Sequence, residues 1–159
     1  MKLLYHRLTE YVLSLLPAHY RGNLYSWMES GKIINEGRNV TTHGIEIAHL
    51  EYEATLLFNE LPFEQVNPLK LMVLIQNWLN EQDAMRYRLD IYEDPFDLEI
   101  LDDSTADLAM QIKIREPILA TEVETSDVEI DGICYELAPF EIWQQPTELK
   151  IAINDQSLQ

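Results

Sequence analysis

The spacing of apolar residues changes along the chain from a helical period to a strand period. Over residues 3–16 they recur three and four positions apart, which predicts an amphipathic helix that Pro17 ends. Over residues 45–58 they alternate with polar residues, which predicts a half-buried strand. The first two isoleucines of that strand have the opposite parity from the rest, so we expect a bulge near Ala48-His49.

Two further segments have helix signals. Asn23 is a candidate N-cap for a short helix that Gly31 ends. Asn67 followed by Pro68 predicts the start of a longer helix, apolar on nearly all sides as far as Leu79. Such a helix needs cover on two sides. We expect burial in the core to supply it, with a neighbouring molecule covering whatever remains exposed.

The segment between the short helix and the first long strand is polar. Ile33 and Ile34 suggest the opening of a strand, and residues 35–43 are predicted to form a loop.

The later part of the chain has the pattern of a β-meander. Alternating segments at 96–100 and 108–114 flank the turn Asp102-Asp103-Ser104. Asp131-Gly132 between two short apolar runs is a strong hairpin signal. Residues 149–153 suggest a last strand, before an end that we expect to fray.

Helices followed by a run of strands predict the α+β class. A chain of 159 residues that is 47% hydrophobic suffices for one core. We therefore expect a single domain over residues 1–159, with helices packed on one mostly antiparallel sheet and a β-hairpin extension and tail from residue 126 onward.

The charge balance is strongly acidic, with 28 Asp and Glu against 11 Lys and Arg and a net charge of −17. Such a surface repels phosphate, so we expect no specific nucleic-acid binding. Solubility explains the excess most simply. Two sharper hypotheses are an acidic DNA-mimic inhibitor of a DNA-binding host protein, and a wall past which DNA slides without sticking.

No apolar run approaches the roughly 20 residues that span a bilayer, and the N-terminal residues lack the pattern of a signal peptide. We therefore expect no membrane association and a location in the cytoplasm. The single cysteine, Cys134, excludes an internal disulfide and a cysteine-based zinc cluster.

The sequence contains one weak enzymatic signal. Asp97 with Gln111 and Lys113 resembles a degenerate signature of metal-dependent nucleases. All three have the solvent parity of their strands, so a solvated outer face explains them as well. The four histidines share no metal-ligand spacing, and the glycines form no phosphate loop. We predict no catalytic, cofactor-binding or metal-binding residues, and no enzymatic activity.

Two segments carry a resemblance to a known family. One is the acidic strand–turn–strand from Phe96-Asp97-Leu98-Glu99-Ile100 to Gln111-Ile112, and the other is the helix opened by Pro68 and closed by Trp78-Leu79. Both resemble tail completion protein R of the contractile-tailed phages of the P-two type.

The similarity to this family covers about residues 1–125. Residues 8–17, 23–31 and 50–57 are weaker matches, in consistent order. Arg21-Gly22-Asn23 and Arg115-Glu116-Pro117 depart from the family pattern, and residues after Ser126 match no part of it.

The resemblance implies assembly rather than chemistry. Its expected role is a structural protein that caps or completes the head-proximal end of the tail, so that the tail can join a capsid. It implies a homo-oligomer, a hexameric ring on the tail tube, with the tube and the neck or head-completion proteins as partners. The protein would be found in the bacterial cytoplasm during assembly and then in the virion tail. Function commonly sits on loops held by a rigid sheet. The candidate interaction surface is therefore Asn39, His43, Asp102 and Asp103.

Overall fold

The computed structural model describes residues 1–91, 93–141 and 143–144, of which 47% are in strands and 26% in helices. The helices are α1 (Leu4–Leu15), a 3-10 helix (Ala18–Asn23), α2 (Pro68–Gln82) and α3 (Met85–Arg88). The strands are β1 (Leu24–Ile34), β2 (Asn39–Thr41), β3 (Gly44–Pro62), β4 (Phe96–Ile100), β5 (Thr105–Val123), β6 (Val128–Ile130) and β7 (Ile133–Leu137).

All seven strands form one curled antiparallel sheet around the long pair β3 and β5. The main order is β1-β3-β5-β7-β6, while β2 pairs with β3 and β4 pairs with β5. Ala120 in β5 is opposite both Ile45 of β3 and Leu137 of β7. Further back along β5, Leu108 is opposite both Phe58 of β3 and Leu98 of β4. Strands β4 and β7 therefore lie along the same side of β5, one after the other.

The core lies between the helices and one face of the sheet. That face is formed by alternate residues of the two long strands, namely Tyr52, Ala54, Leu56, Phe58, Leu108, Met110, Ile112 and Ile114, all buried. Tyr11 of α1 stacks on Trp78 of α2 with ring centroids 5.7 Å apart, which joins the two helices over the sheet. A period of two in both strands thus produces one apolar face.

Several sequence predictions are confirmed. Helix α1 ends before Pro17, and the Asn67 side chain caps α2, accepting hydrogen bonds from the backbone N–H groups of Leu69 and Lys70. The bulge in β3 lies between Glu46 and Ala48, at the edge of the expected position. The α+β class also holds, although the sheet dominates the fold more than we expected.

The predicted helix from Asn23 to Ser30 is wrong. A 3-10 helix ends at Asn23, and strand β1 begins at Leu24. Alternate residues of this segment, Leu24 and Ser26, are buried against β3. Pairing with a distant strand overrides the local helix signal.

Gly31 therefore does not end a helix, and Ile33-Ile34 close a strand rather than open one. Gly31 lies within β1 opposite Tyr52, where a Cβ atom would come within 2.6 Å of the Glu51 carbonyl oxygen. Asn23 is not an N-cap, because strand β1 follows it, and its side-chain amide donates a hydrogen bond to the Asn59 carbonyl at 3.2 Å.

Two other expectations need revision. The polar segment 35–43 is not wholly a loop, because it contains β2. Helix α2 buries only one stripe, formed by Leu71, Ile75 and Leu79, so the core does not cover it on two sides. The suggested strand at 149–153 and the frayed end lie outside the described residues. Among the helices that are described, none is long and apolar enough to cross a membrane.

Candidate interaction surface

Asn39 and His43 lie at the β2–β3 hairpin, and both are exposed. The Asn39 side chain donates a hydrogen bond to the Glu46 carboxylate at 3.1 Å across the hairpin. The His43 N–H donates to the Thr41 hydroxyl at 3.2 Å, which holds the turn before Gly44. This turn presents an imidazole and an amide to solvent on a braced backbone.

Asp102 and Asp103 lie in the β4–β5 turn and are likewise exposed. The Asp102 carboxylate accepts hydrogen bonds from the backbone N–H groups of Ser104 and Thr105, at 2.9 and 2.8 Å. These bonds hold the pKa of Asp102 below its ordinary value, because they favour the charged carboxylate. The turn is therefore a fixed site of negative charge.

The structure does not bring these two pairs of residues together. The β2–β3 hairpin adjoins Ala120 in β5, whereas the β4–β5 turn adjoins Pro62, at the other end of β3. The β3–β5 ladder between them is about 55 Å in contour length at ~3.3 Å per residue. The four predicted residues thus mark two separate loop surfaces, one at each end of the sheet.

A cleft of about 580 Å³ lies close to the first of these surfaces. Apolar side chains from β1, β3 and the β6–β7 hairpin line it, including Ile33, Ile47 and Ile130. Arg38 lies over the ring of Tyr135, with its guanidinium carbon 5.9 Å from the ring centroid, and its guanidinium is 3.8 Å from the Glu122 carboxylate. This end of the sheet therefore combines an apolar cleft with a positioned cation.

An apolar surface lies along the outer side of α2 and the edge strand β4. We call it the α2–β4 face, and its exposed fractions are Leu69 69%, Val73 65%, Phe96 49%, Leu98 42% and Ile100 62%. A groove of about 390 Å³ runs between the helix and the strand. The Phe96, Leu98 and Ile100 side chains are on the core side of the sheet, but they lie beyond the part of that side that α2 buries.

A buried polar cluster fixes the segment between α2 and β4. Arg86, only 1% exposed, donates to both carboxylate oxygens of Asp94 at 2.8 Å, and Gln76 donates to Asp94 at 3.3 Å. Asp83 accepts from the Met85 N–H at 3.2 Å, and burial raises the pKa of Asp83.

A second buried group joins α1 to the sheet. Glu116 of β5 accepts hydrogen bonds from the Tyr52 hydroxyl and, at 2.8 Å, from the Leu4 N–H. Burial raises the pKa of Glu116, although both hydrogen bonds oppose that shift. Glu116 thus connects α1 to β3 and β5, as Asp94 connects α3 to the residues before β4.

The residues of the weak nuclease signal, Asp97, Gln111 and Lys113, are all exposed on the outer face of the sheet, as their parity predicts. The Lys113 ammonium is 3.9 Å from the Glu51 carboxylate. Over the described ranges, no three His, Cys, Asp or Glu residues are grouped to hold a metal ion.

The α2–β4 face was not predicted as a surface from the sequence. The only signal for it was a helix apolar on nearly all sides, which we assigned mainly to the core. The exposure of β4 depends on where α2 crosses the sheet. The spacing of residues within either element does not predict that position.

The fold thus defines a sheet-rich α+β domain that presents loops, an apolar cleft and an apolar edge strand. These are features of a protein that contacts other proteins. The chain belongs to the family described as P2 phage tail completion protein R (GpR), whose model matches residues 2–139. The match extends past residue 125, where the sequence resemblance ended.

One curated relative supports the phage connection. The chain is 49% identical over 142 residues, 89% of this chain and 86% of the relative, to an uncharacterized 19.2 kDa protein in the rep-hol intergenic region of Haemophilus phage HP1 (strain HP1c1). No solved structure matches the chain.

Proposed function

We propose that this chain is a structural, non-enzymatic protein that completes the head-proximal end of a contractile phage tail, and that tail maturation and head joining require it. The observation that carries the proposal is membership of the tail completion family over residues 2–139. The phage origin of the relative agrees with it.

The subunits form a ring on the tail tube, with sixfold symmetry matching the tube. Its partners are the tube on one side and the neck or head-completion proteins on the other. The two loop surfaces support this arrangement, because Asn39 and His43 lie at one end of the β3–β5 ladder and Asp102 and Asp103 at the other. A ring with such subunits offers one loop surface to each partner.

The net charge of −17 supports a position beside passing DNA, since an acidic wall repels phosphate. The protein acts in the host cytoplasm during assembly and remains in the virion tail.

The test is electron microscopy of a phage lysate in which only this gene is disrupted. We expect headless tails, or tubes of uncontrolled length, beside filled capsids, and the intact gene supplied in trans restores virions. Normal virions from the disrupted phage would contradict the proposal and favour the DNA-mimic alternative.

Supplying variants of the gene in trans to the same disrupted phage tests the proposal that the protein is not an enzyme. The variant Lys113→Ala should restore virions as well as the intact gene, because its side chain lies on an exposed outer face. Failure of this variant, with Mg²⁺-dependent DNA cleavage by the purified intact protein, would favour the nuclease alternative.

A further inference from the structure

Strand β4 is an edge strand with little of the usual protection against pairing. It contains no lysine or proline, all five of its residues are exposed, and its two charged residues, Asp97 and Glu99, lie on the outer side alone. Its apolar side, Phe96, Leu98 and Ile100, continues the core face of β5 and stays 42–62% exposed, so α2 covers it only in part. Natural proteins normally cover or blunt such an edge, because it readily pairs with another strand.

Strands β1, β3, β5 and β4 are neighbours in that order, with β4 at one edge and β1 at the other. Its stretch Tyr25–Glu29 pairs with β3 in a regular register, and the shift occurs only between Glu29 and Gly31. This stretch has the same length as β4, and no further strand among the described residues pairs with its outer side. This part of the sheet thus has two open edges of equal length, β4 and Tyr25–Glu29.

Strand direction makes these edges compatible. Each neighbouring pair in the order β1-β3-β5-β4 is antiparallel, so β1 and β4 run in opposite directions. Rotating a second copy about an axis parallel to the strands leaves its strand directions unchanged. Its β1 therefore meets β4 of the first copy in antiparallel orientation, and the sheet continues across the boundary.

We propose that β4 of one copy pairs with Tyr25–Glu29 of β1 in the next copy, a head-to-tail contact that repeats around the ring. This inference deepens the proposed function and rests on its homo-oligomeric ring. The contact is heterologous, and such contacts produce closed rings when the rotation closes. It also pairs the open edge of β4 and the open edge of Tyr25–Glu29 in every subunit.

The side chains fit this pairing. Met28 is opposite Ala54 and Leu98 is opposite Leu108, so both have the parity of the core side of the sheet. In the continued sheet the apolar side of β4 lies beside Met28 of the next copy, and the exposed Leu69 and Val73 of α2 face that junction. On the outer side, the Asp97 carboxylate lies beside Tyr25 or Trp27.

Charge opposes association, because each copy has a net charge of −17. Salt screens this repulsion and leaves the apolar contact intact, so association should strengthen as the salt concentration rises. A contact held by ion pairs would weaken instead.

The test is disulfide cross-linking between the two edges in a Cys134→Ser background. Three double variants combine Asp97→Cys with Tyr25→Cys, Trp27→Cys or Glu29→Cys, all on the outer side. Within one copy these edges are about 14 Å apart across three strand spacings, whereas a disulfide needs Cα atoms within about 6.8 Å. Any disulfide formed therefore joins two copies.

Two preparations are oxidised, namely the concentrated protein in high salt and tails from a complemented lysate. We expect at least one double variant to give a ladder of covalent multimers, while each single variant stops at a dimer. Adding Ile100→Lys should abolish the ladder. Tyr87→Lys, at a 60% exposed position on α3, should leave it intact.

The absence of a ladder for all three pairs in both preparations would overturn the inference. A partner other than a second copy would then cover the α2–β4 face. If these variants also complete tails normally, only the edge contact fails and the proposed function stands. A disrupted phage that makes normal virions contradicts the function itself.

Discussion

Arg86 and Asp94 form a buried ion pair, with side chains only 2% and 4% exposed and the guanidinium 2.8 Å from the carboxylate. Removing Asp94 leaves the buried Arg86 guanidinium without its hydrogen-bonded partner. Asp94→Ala should therefore lower the free energy of unfolding by about 3–5 kcal/mol. Chemical denaturation measures the change. Glu93→Ala, the loss of an exposed carboxylate next in sequence, is the matched control and should change it by less than about 0.5 kcal/mol.

Equal stability of the two variants would show that the ion pair does not stabilise the segment between α2 and β4. The edge strand β4 begins two residues after Asp94. A normally folded Asp94→Ala variant should therefore also show faster hydrogen exchange in β4 than the Glu93→Ala control.

Glu116 should make stability depend on pH. Burial raises its pKa in the folded state, so between the unfolded and folded pKa values the folded chain binds more protons. Its contribution is therefore most favourable in acid and is lost as the pH rises through the folded pKa. Glu116→Gln keeps an oxygen for Tyr52 and Leu4 but cannot ionise. The stability of this variant relative to the native chain should increase from about pH 4 to about pH 8.

Denaturant titrations of both proteins across this range provide the measurement. Parallel pH profiles would contradict the assignment of a destabilising buried carboxylate to Glu116. Glu136→Gln, at an exposed position of β7, is the control and should follow the native profile.

Gly31 should tolerate no side chain. A Cβ atom there would lie 2.6 Å from the Glu51 carbonyl oxygen and 3.1 Å from the Tyr52 Cβ, so the paired strands must move apart. Gly31→Ala should cost about 1–3 kcal/mol of unfolding free energy, the usual range for overpacking. At Gly22 nothing lies within 4 Å of the same atom, so Gly22→Ala is the control. A Gly31→Ala variant as stable as that control would contradict the close approach of β1 and β3.

The contribution of the α2 N-cap to the free energy of unfolding should be measurable separately. The Asn67 side-chain oxygen accepts hydrogen bonds from the Leu69 and Lys70 N–H groups at 2.9 and 3.3 Å. Asn67→Ala should lower the unfolding free energy by about 1 kcal/mol. Asn77→Ala, at an exposed position inside the same helix, should be neutral or slightly stabilising, because alanine has the higher helix propensity. Thermal or denaturant unfolding that ranks the two variants the other way would contradict the capping role.

Local chemistry explains which elements the sequence predicted. The cap and proline of α2 and the Asp131-Gly132 turn act within a few residues, and both appear where expected. The φ angles of Asp131 and Gly132 are 53° and 80°, the left-handed pair that a tight hairpin turn requires. Signals of this kind do not depend on the rest of the fold.

Non-local pairing explains what the sequence did not predict. Residues 24–30 lie in a strand because β3 is beside them, although their own pattern favoured a helix. The exposure of Leu69 and Val73 likewise depends on how far α2 lies from β4. Asn39, His43, Asp102 and Asp103 are all exposed, but only the strand register shows that the two pairs belong to opposite ends of the sheet.

The most direct test of the central claim is the position of the protein on the tail. Tails and virions from the lysate are labelled with antibody to this protein and a gold conjugate, and viewed by electron microscopy. A protein that completes the tail gives gold at the head-proximal end of free tails, with no label on tails from the disrupted phage. Gold at the opposite end, or no gold on tails that assemble normally, would contradict the account.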